Sequence, residues 1–307
     1  MAQLQADDAA LVVADVAPVP VEASRATGRR WFRRRSGRLP WLSGGIVAVF
    51  LLTGAVGPFF APYHPEEIDL INSLSPPMWF GGSSEHILGT DQLGRDILTR
   101  IIYGARVSLL VALAVVALAG VVGVTVAVLA GYRGGRLDAF LMRVTDATMA
   151  FPVILLMIVI VGIYGASTRN VILILAFAGW ASYARVLRSE VISVKNNDFV
   201  TMTKTMGGNS RWIIRRHILP NILPTLLVLV SLQLGLAIIA EGSLSFLGLG
   251  VPPPAPSWGG MLSEGRAYLT EAWWLPTFPG LALSLTVLAA NMLGDWLRVF
   301  NDPTSRR

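Results

Sequence analysis

The sequence predicts an all-α membrane protein with six transmembrane helices. Of its 307 residues, 53% are hydrophobic and only 14% are charged, whereas a soluble domain carries about a quarter charged residues. Mean hydropathy is +0.59. Apolar runs near twenty residues long, the length that crosses about 30 Å of hydrocarbon, recur along the chain. The alternating pattern of a membrane β-barrel is absent from the sequence.

The apolar runs divide the chain into a tail and a membrane domain. The six predicted spans are Trp41–Phe60, Val107–Ala130, Ala147–Gly165, Val171–Leu187, Ile222–Ala240 and Phe278–Phe300. The fourth is the weakest, because Arg185 and Arg188 end it early. We therefore expect a disordered basic tail over residues 1–40 and a permeating or scaffolding membrane domain over 41–307. Its larger connections would be external segments at 61–106 and 246–279 and a cytoplasmic loop at 195–220.

The basic residues predict the orientation of the chain. If the N-terminus is cytoplasmic, 20 of the 25 Lys and Arg residues fall on cytoplasmic segments and 5 on external ones. This asymmetry follows the positive-inside rule, so we expect both termini in the cytoplasm. The basic cluster before the first span then fixes topology, and the net charge of +6 reports orientation rather than an acidic partner.

The sequence offers little catalytic machinery. It has no cysteine, which excludes disulfides and thiol chemistry. It has no glycine-rich phosphate loop ending in Lys and Ser or Thr, so the chain is not expected to grip a nucleotide itself. The three histidines, His64, His86 and His217, fall on different sides of the membrane in the predicted topology. We therefore predict a conduit or scaffold with no catalytic residue and no metal site.

Ionisable residues in or beside the spans are costly to bury and therefore point to a role. Glu241 lies near the external end of the fifth span, and Asp295 lies within the sixth. Arg143 and Asp146 open the third span at a spacing that places them on one helix face. All of them lie near span ends rather than at the membrane midplane. This placement favours structural hydrogen bonding or gating over a proton relay.

The most informative segment is a basic loop, Phe199 to Pro220, with the sequence FVTMTKTMGGNSRWIIRRHILP. Residues 199–206 favour a short helix, and the Gly207-Gly208 pair would break it, since glycine tolerates the angles of a sharp turn. Asn209 or Ser210 can cap a second helix. We expect two short amphipathic helices at roughly a right angle. The residues alone favour equally a docking site for another chain and a helix lying on lipid headgroups.

This loop resembles the cytoplasmic EAA loop of binding-protein-dependent ABC importer permeases. Gly207 occupies the glycine position, and Ile218-Leu219-Pro220 follows His217, as in the dipeptide, oligopeptide and nickel branch. The run from His86 to Asp96 is similar to that branch's signature after the first span. Further matches lie at Gly131–Gly135, Ser243–Gly250, Pro256–Gly259 and Gly294-Asp295. One departure stands out: Thr201-Met202-Thr203 replaces the Glu-Ala-Ala triplet, so its acidic residue is missing.

The resemblance implies a C-type inner permease subunit with the six-helix fold of type I ABC importers. It implies a heterodimer with a B-type permease, two ATPase subunits that hold ATP and Mg, and an extracytoplasmic substrate-binding protein, in a bacterial cytoplasmic membrane. No cofactor would be bound by this chain. The implied ATPase-coupling residues are Thr201, Met202, Thr203, Met206, Gly207, Gly208, Arg211, His217, Leu219 and Pro220. The implied structural or gating residues are Asp91, Gly94, Arg95, Asp96, Arg143, Asp146, Glu241 and Asp295.

The cargo implied by the resemblance is a di- or oligopeptide, passing along the third, fourth and fifth spans. Within the same kind of complex, a nickel chelate, glutathione or haem is the alternative. From another class, an ion-coupled secondary transporter would be expected to show broken helices and midplane charges. Neither is evident in the sequence, which favours the importer permease.

Overall fold

The computed structural model describes residues 39–301, apart from the side chains at 39–43, 47, 51, 299 and 301. Throughout this range the regular structure is helical, and the one β pairing is an isolated bridge between Thr90 and Asp96. The all-α prediction is confirmed. The predicted basic tail lies outside the described residues, except for its last two positions.

Ten α-helices make up the described range. They are α1 (Leu39–Val56), α2 (Ile97–Arg133), α3 (Gly135–Ala150), α4 (Val153–Tyr164), α5 (Thr168–Lys195), α6 (Asp198–Thr205), α7 (Ser210–Ile213), α8 (Leu219–Phe246), α9 (Trp258–Gly265) and α10 (Trp274–Asn301). Short 3₁₀ turns lie at Gly57–Phe59, Leu70–Asn72, Met78–Phe80 and Arg266–Tyr268, and a π-helical turn lies at Ile214–Ile218.

Four of the described helices are long and apolar enough to cross a membrane, and a fifth candidate is the bent pair α3 and α4. A shorter apolar helix over Gly44–Phe59 is the remaining candidate for the predicted set of six. The third predicted span, Ala147–Gly165, is therefore wrong in detail. It is not one straight helix, because α3 ends within it at Ala150 and the axes of α3 and α4 differ by 77°.

Proline explains the bend between α3 and α4. Pro152 has no backbone N–H to donate, and it disfavours the helical conformation in the residue before it. Phe151 accordingly takes an extended conformation, with φ −81° and ψ 124°. The helix therefore stops at Ala150 and restarts at Val153. A broken helix inside the membrane domain is thus present, although we did not expect one from the sequence.

The core is built on close approach between α2 and α5, and between α8 and α10. Ala119 and Ala127 of α2 are almost fully buried in one cluster with Tyr183 and Leu187 of α5. A Cβ atom at Gly123 would lie only 2.4 Å from the Cβ atom of Tyr183. Small residues thus bring the two backbones together, as expected for helix packing in lipid.

Two large tryptophans pack inside the protein rather than at an interfacial belt. Trp258 is fully buried, and its indole N–H donates to the carbonyl oxygen of Ile101 at 3.1 Å. Trp274 is also buried, and its N–H donates to the carbonyl oxygen of Thr90 at 3.2 Å. Each buried indole thus satisfies its polar edge, which is the usual condition for burying this side chain. Trp258 thus ties the second long connection to the first turns of α2, and Trp274 ties it to the segment that precedes α2.

Candidate functional site

The predicted short helix of the basic loop is present as α6. It starts within one residue of the predicted position and ends at Thr205. Gly207 then takes a positive φ of +87°, a conformation that strongly favours glycine. The N–H of Gly208 turns back to the carbonyl oxygen of Thr203 at 3.0 Å, closing the helix end. Asn209 caps the next helix, accepting from the N–H of Arg211 at 3.1 Å.

The second short helix is not a separate element, contrary to prediction. From Ser210 the chain runs through α7, the π turn and α8 as one candidate span that ends at Phe246. In the π turn the N–H of Leu219 donates to the carbonyl oxygen of Ile214, five residues back. Pro220 is the second residue of α8 and follows directly after the π turn. The helix that contains the predicted fifth span, Ile222–Ala240, therefore begins twelve residues before that span.

An aromatic contact joins the two helical parts of the loop. The imidazole of His217 lies 5.5 Å from the ring of Phe199 and 5.1 Å from that of Trp212, measured between ring centroids. Its Nε2 atom is buried and has no hydrogen-bond partner among the described residues. Beneath it, Ile213 and Ile218 are fully buried in the main core cluster. His217 thus packs α6 onto a helix that is anchored in the core.

The outer side of this loop is apolar and basic. Met202, Met206 and Trp212 are 64%, 87% and 52% exposed. Around them lie exposed basic residues at Lys204, Arg211, Arg215 and Arg216 and the exposed hydroxyl of Thr201. An exposed cluster of this kind typically marks a contact surface rather than a solvated helix face. Here it is carried by the segment that continues directly into α8.

A buried ion-pair group, here called the Asp91 cluster, joins Asp91, Arg95, Arg100 and Glu264. Asp91 Oδ2 accepts from Arg95 Nε at 2.7 Å and also from Arg100 Nη1. Arg100 Nη1 and Arg95 Nη2 both donate to Glu264 Oε2, at 2.8 and 3.0 Å. Burial disfavours the charged form of Glu264 and by itself would raise the pKa of this carboxyl. The hydrogen bond from Arg100 and the charges of Arg100 and Arg95 outweigh burial, so the pKa lies below its usual value. The group links the start of α2 to α9.

Gly94 and Asp96 form the turn in which Asp91 and Arg95 of this cluster lie. Gly94 has a φ of +74°, and a Cβ atom there would lie 1.7 Å from the carbonyl oxygen of Asp69. Asp96 caps α2, accepting from the N–H of Thr99 at 2.8 Å, and its other oxygen lies 3.1 Å from His86 Nδ1. The structure thus brings Asp91, Gly94, Arg95 and Asp96 together. Glu264 was missed by the sequence reasoning, because nothing local links it to residues some 170 positions earlier.

Glu241 is fully buried in α8. Its Oε1 atom accepts from the hydroxyl of Ser245 at 2.7 Å. Its Oε2 atom has no hydrogen-bond partner among the described residues, and neither has the buried hydroxyl of Ser108. A buried acid with one unsatisfied oxygen is energetically costly. A structural or gating role of Glu241 stays a prediction. Asp295, by contrast, is exposed on α10.

Two ion pairs cross between α3 and α5. Asp138 accepts from Arg188 Nε and Nη2, both at 2.5 Å. Asp146 accepts from Arg185, not from the predicted neighbour Arg143, which is exposed on the same helix. The reason is that α5 crosses α3 here and offers a guanidinium from another element. Sequence reasoning counted Arg185 and Arg188 only as the end of a span.

The predicted functional residues therefore fall into four separate groups in the structure and do not form a single site. They are the loop with α6, the Asp91 cluster, buried Glu241, and the α3–α5 ion pairs. None of them gathers a group of three or more possible metal ligands within the described residues. The arrangement is that of an integral membrane protein of the multi-pass helical class, with an exposed basic loop fixed to one of its spans.

Comparison with known families places the chain within this class. The chain belongs to the family of binding-protein-dependent transport system inner membrane components, whose model matches residues 123–307. A second model, the N-terminal transmembrane domain of oligopeptide transport permease C, matches residues 27–77. The protein is thus a permease of a binding-protein-dependent transport system, located in the inner membrane.

Several relatives cover nearly the whole chain. A di/tripeptide transport system permease protein of Pseudomonas aeruginosa is 39% identical over 263 residues, 85% of this chain and 87% of its own length. A dipeptide transport system permease protein of Haemophilus influenzae is 38% identical over 274 residues, which are 89% of this chain and 93% of that protein. A dipeptide transport system permease protein of Bacillus subtilis is 38% identical over 279 residues, 90% of this chain and 85% of its own length.

Proposed function

We propose that this chain is the C-type permease subunit of an ATP-driven importer of di- and oligopeptides. The names of its relatives support the cargo class. The observation that carries the coupling role is the exposed loop from Asp198 to Arg216, whose second part, from Ser210, belongs to the 37-residue helix Ser210–Phe246. A force applied to this second part would move the whole span, because the helix is continuous, and α6 packs against the same helix through His217.

The partners we propose are a B-type permease, two ATPase subunits and an extracytoplasmic binding protein. The permease partner would cover α4, whose residues Ile154, Leu155, Ile158, Val159 and Ile163 are exposed, whereas only Met157 of that helix is buried. The ATPases would bind ATP and Mg, and this chain would bind no cofactor and catalyse no reaction. Its contribution would be to carry displacement as a packed body with two arrangements.

The orientation we propose follows the distribution of basic residues. With both termini in the cytoplasm, the loop and the α3–α5 ion pairs face the cytoplasmic side, and the Asp91 cluster faces outward. The binding protein would then dock near the Asp91 cluster, which makes the connection rigid by salt-bridging it to α9. Residues 1–40 would form a cytoplasmic basic tail ahead of the membrane domain at 41–307.

The coupling contact differs from the family pattern in its charge. Where the family has an acidic residue, this chain has Thr201, and the exposed side carries Met202, Met206 and four basic residues. We therefore propose that the ATPase groove is entered by methionine side chains, which adapt to irregular surfaces. His217 would keep α6 packed against the anchored helix while the loop is displaced.

The test is ATP-dependent uptake by the whole complex in proteoliposomes. Replacing the two exposed side chains together, Met202→Asp and Met206→Asp, should abolish uptake and co-purification of the ATPases. Membrane insertion should be unchanged, since neither side chain contributes to the core. The matched control is Thr205→Asp, at an exposed position on the same helix. Retention of both uptake and ATPase binding in the double variant contradicts the coupling role.

A further inference from the structure

A cleft of about 680 Å³ opens between α3 and α5. It is lined by Met142, Asp146, Met149, Ala150, Arg185 and Arg188. This open cleft is thus lined by two methionines, an alanine, one carboxylate and two guanidinium groups. No other element of the described chain fills it. The cleft lies beside the bend at Phe151-Pro152, at the broken span.

The two ion pairs at the cleft differ in strength. Asp138 and Arg188 form a two-pronged pair whose side chains are 16% and 30% exposed, and this pair fastens α3 to α5. Asp146 and Arg185 meet through a single contact, and their side chains are 62% and 53% exposed. Exposed pairs contribute only about 0–1 kcal/mol, so their partners exchange readily. Asp146 and Arg185 are therefore available to another charged ligand.

The surroundings of Asp146 and Arg185 limit what they can face. Both belong to helices that are candidates for crossing the membrane. Charged side chains avoid hydrocarbon, because contact with it is costly. Asp146 and Arg185 lie near the cytoplasmic ends of their spans in the predicted topology, so this exposed ion pair is open to water. In the orientation proposed above, a peptide that leaves the membrane on the cytoplasmic side would pass this end of the helices.

We propose that this cleft is a contact site for a zwitterionic peptide in transit, an inference that rests on the proposed function. Arg185 would receive the peptide carboxylate, since a guanidinium matches a carboxylate with two parallel N–H donors. Asp146 would receive the peptide ammonium. Met142 and Met149 would accommodate different side chains, because methionine repacks around varied ligands.

The weakness of the Asp146–Arg185 pair suits transport. A path must bind its cargo well enough to admit it and weakly enough to release it. When the peptide enters, each side chain exchanges its salt-bridge partner for one peptide terminus, so neither charge is left unpaired. When the peptide leaves, the two side chains pair again. The site thus contacts charge at both peptide ends without holding the peptide tightly.

The test compares a dipeptide with free termini, its C-terminal amide and its N-acetyl form in the reconstituted complex, at saturating binding protein. Arg185→Gln should lower the maximal uptake rate of the free dipeptide, relative to its amide, by about three- to fivefold, the factor that corresponds to about 1 kcal/mol. Asp146→Asn should lower the rate of the free dipeptide relative to its N-acetyl form by a similar factor. Arg185→Lys should keep the sign of the wild-type preference, because the charge is retained.

Arg136→Gln is the matched control, since this arginine is exposed on α3 and lies outside the cleft. It should leave both rate ratios unchanged. An equal loss for the free and the blocked peptides in Arg185→Gln and Asp146→Asn would mean that the ion pair only holds the two helices together, and it would overturn the proposal, as would no loss at all. If the wild-type complex takes up no peptide, the proposed function fails instead, independently of the cleft.

Discussion

Replacement of Arg100 by Gln tests the Asp91 cluster most directly. Arg100 is 3% exposed. Its Nη1 atom donates to Asp91 and to Glu264 Oε2, and its Nη2 atom lies 3.3 Å from Glu264 Oε1. Removing one partner of a buried ion pair costs about 3–5 kcal/mol. Arg95 still contacts both carboxylates, at 2.7 and 3.0 Å, and offsets part of this loss. We therefore expect a loss of about 2–4 kcal/mol in the free energy of unfolding, below the full cost of an unpaired buried charge.

The measurement is thermal unfolding of the purified protein in detergent. At about 2–4 °C per kcal/mol for a large chain, the melting temperature should fall by about 4–16 °C. Arg106→Gln is the control, because Arg106 is exposed on the same helix. Glu264→Gln added to Arg100→Gln should cost less than the sum of the single changes, since the two residues are in contact. Equal melting temperatures for Arg100→Gln and Arg106→Gln would refute the stabilising role of the cluster.

Three further predictions concern the loop, the turn and the pH response. Thr201→Glu should leave membrane insertion unchanged and alter only the stimulation of ATPase activity, because Thr201 is exposed on α6; impaired insertion would contradict this. Gly94→Ala should lower the free energy of unfolding by more than the about 1–2 kcal/mol that a left-handed backbone costs a non-glycine residue, because its Cβ atom would also clash with Asp69. In the control Gly81→Ala the Cβ atom meets nothing within 4 Å, so this change should cost only the backbone strain. Glu264 has a lowered pKa, so its stabilising effect is present above the unfolded-state value of about 4.3 and is lost as pH falls through the folded value. The melting temperature of Glu264→Gln should thus fall less steeply than that of the wild type when the pH drops below about 4.3; parallel curves would contradict it.

Local chemistry made much of the loop predictable. The break at Gly207 and the cap at Asn209 follow from backbone preferences that act within a few residues. The continuity of the second helix did not follow, because Pro220 in the sequence suggested a boundary. In the structure a π turn directly precedes Pro220, and burial of Ile213 and Ile218 anchors the helix in the core.

The partners of charged residues were the least predictable feature. Arg143 and Asp146 share a face by spacing, yet Asp146 pairs with Arg185, 39 residues away. Likewise Arg100 pairs with Glu264, 164 residues away. Which guanidinium reaches which carboxylate depends on where helices cross, and that crossing is set by packing of small residues such as Gly123 against Tyr183. No local pattern contains this information.

The sequence by itself determined that this protein is helical and embedded in a membrane, and that its loop breaks at Gly207. These properties depend on apolar length and on glycine and proline, whose effects are local. Only the tertiary structure decided that the loop is fixed to the fifth span, that Asp91 and Glu264 share two arginines, and that a charged cleft opens between α3 and α5. These features depend on contacts between distant residues, which exist only once the helices have packed.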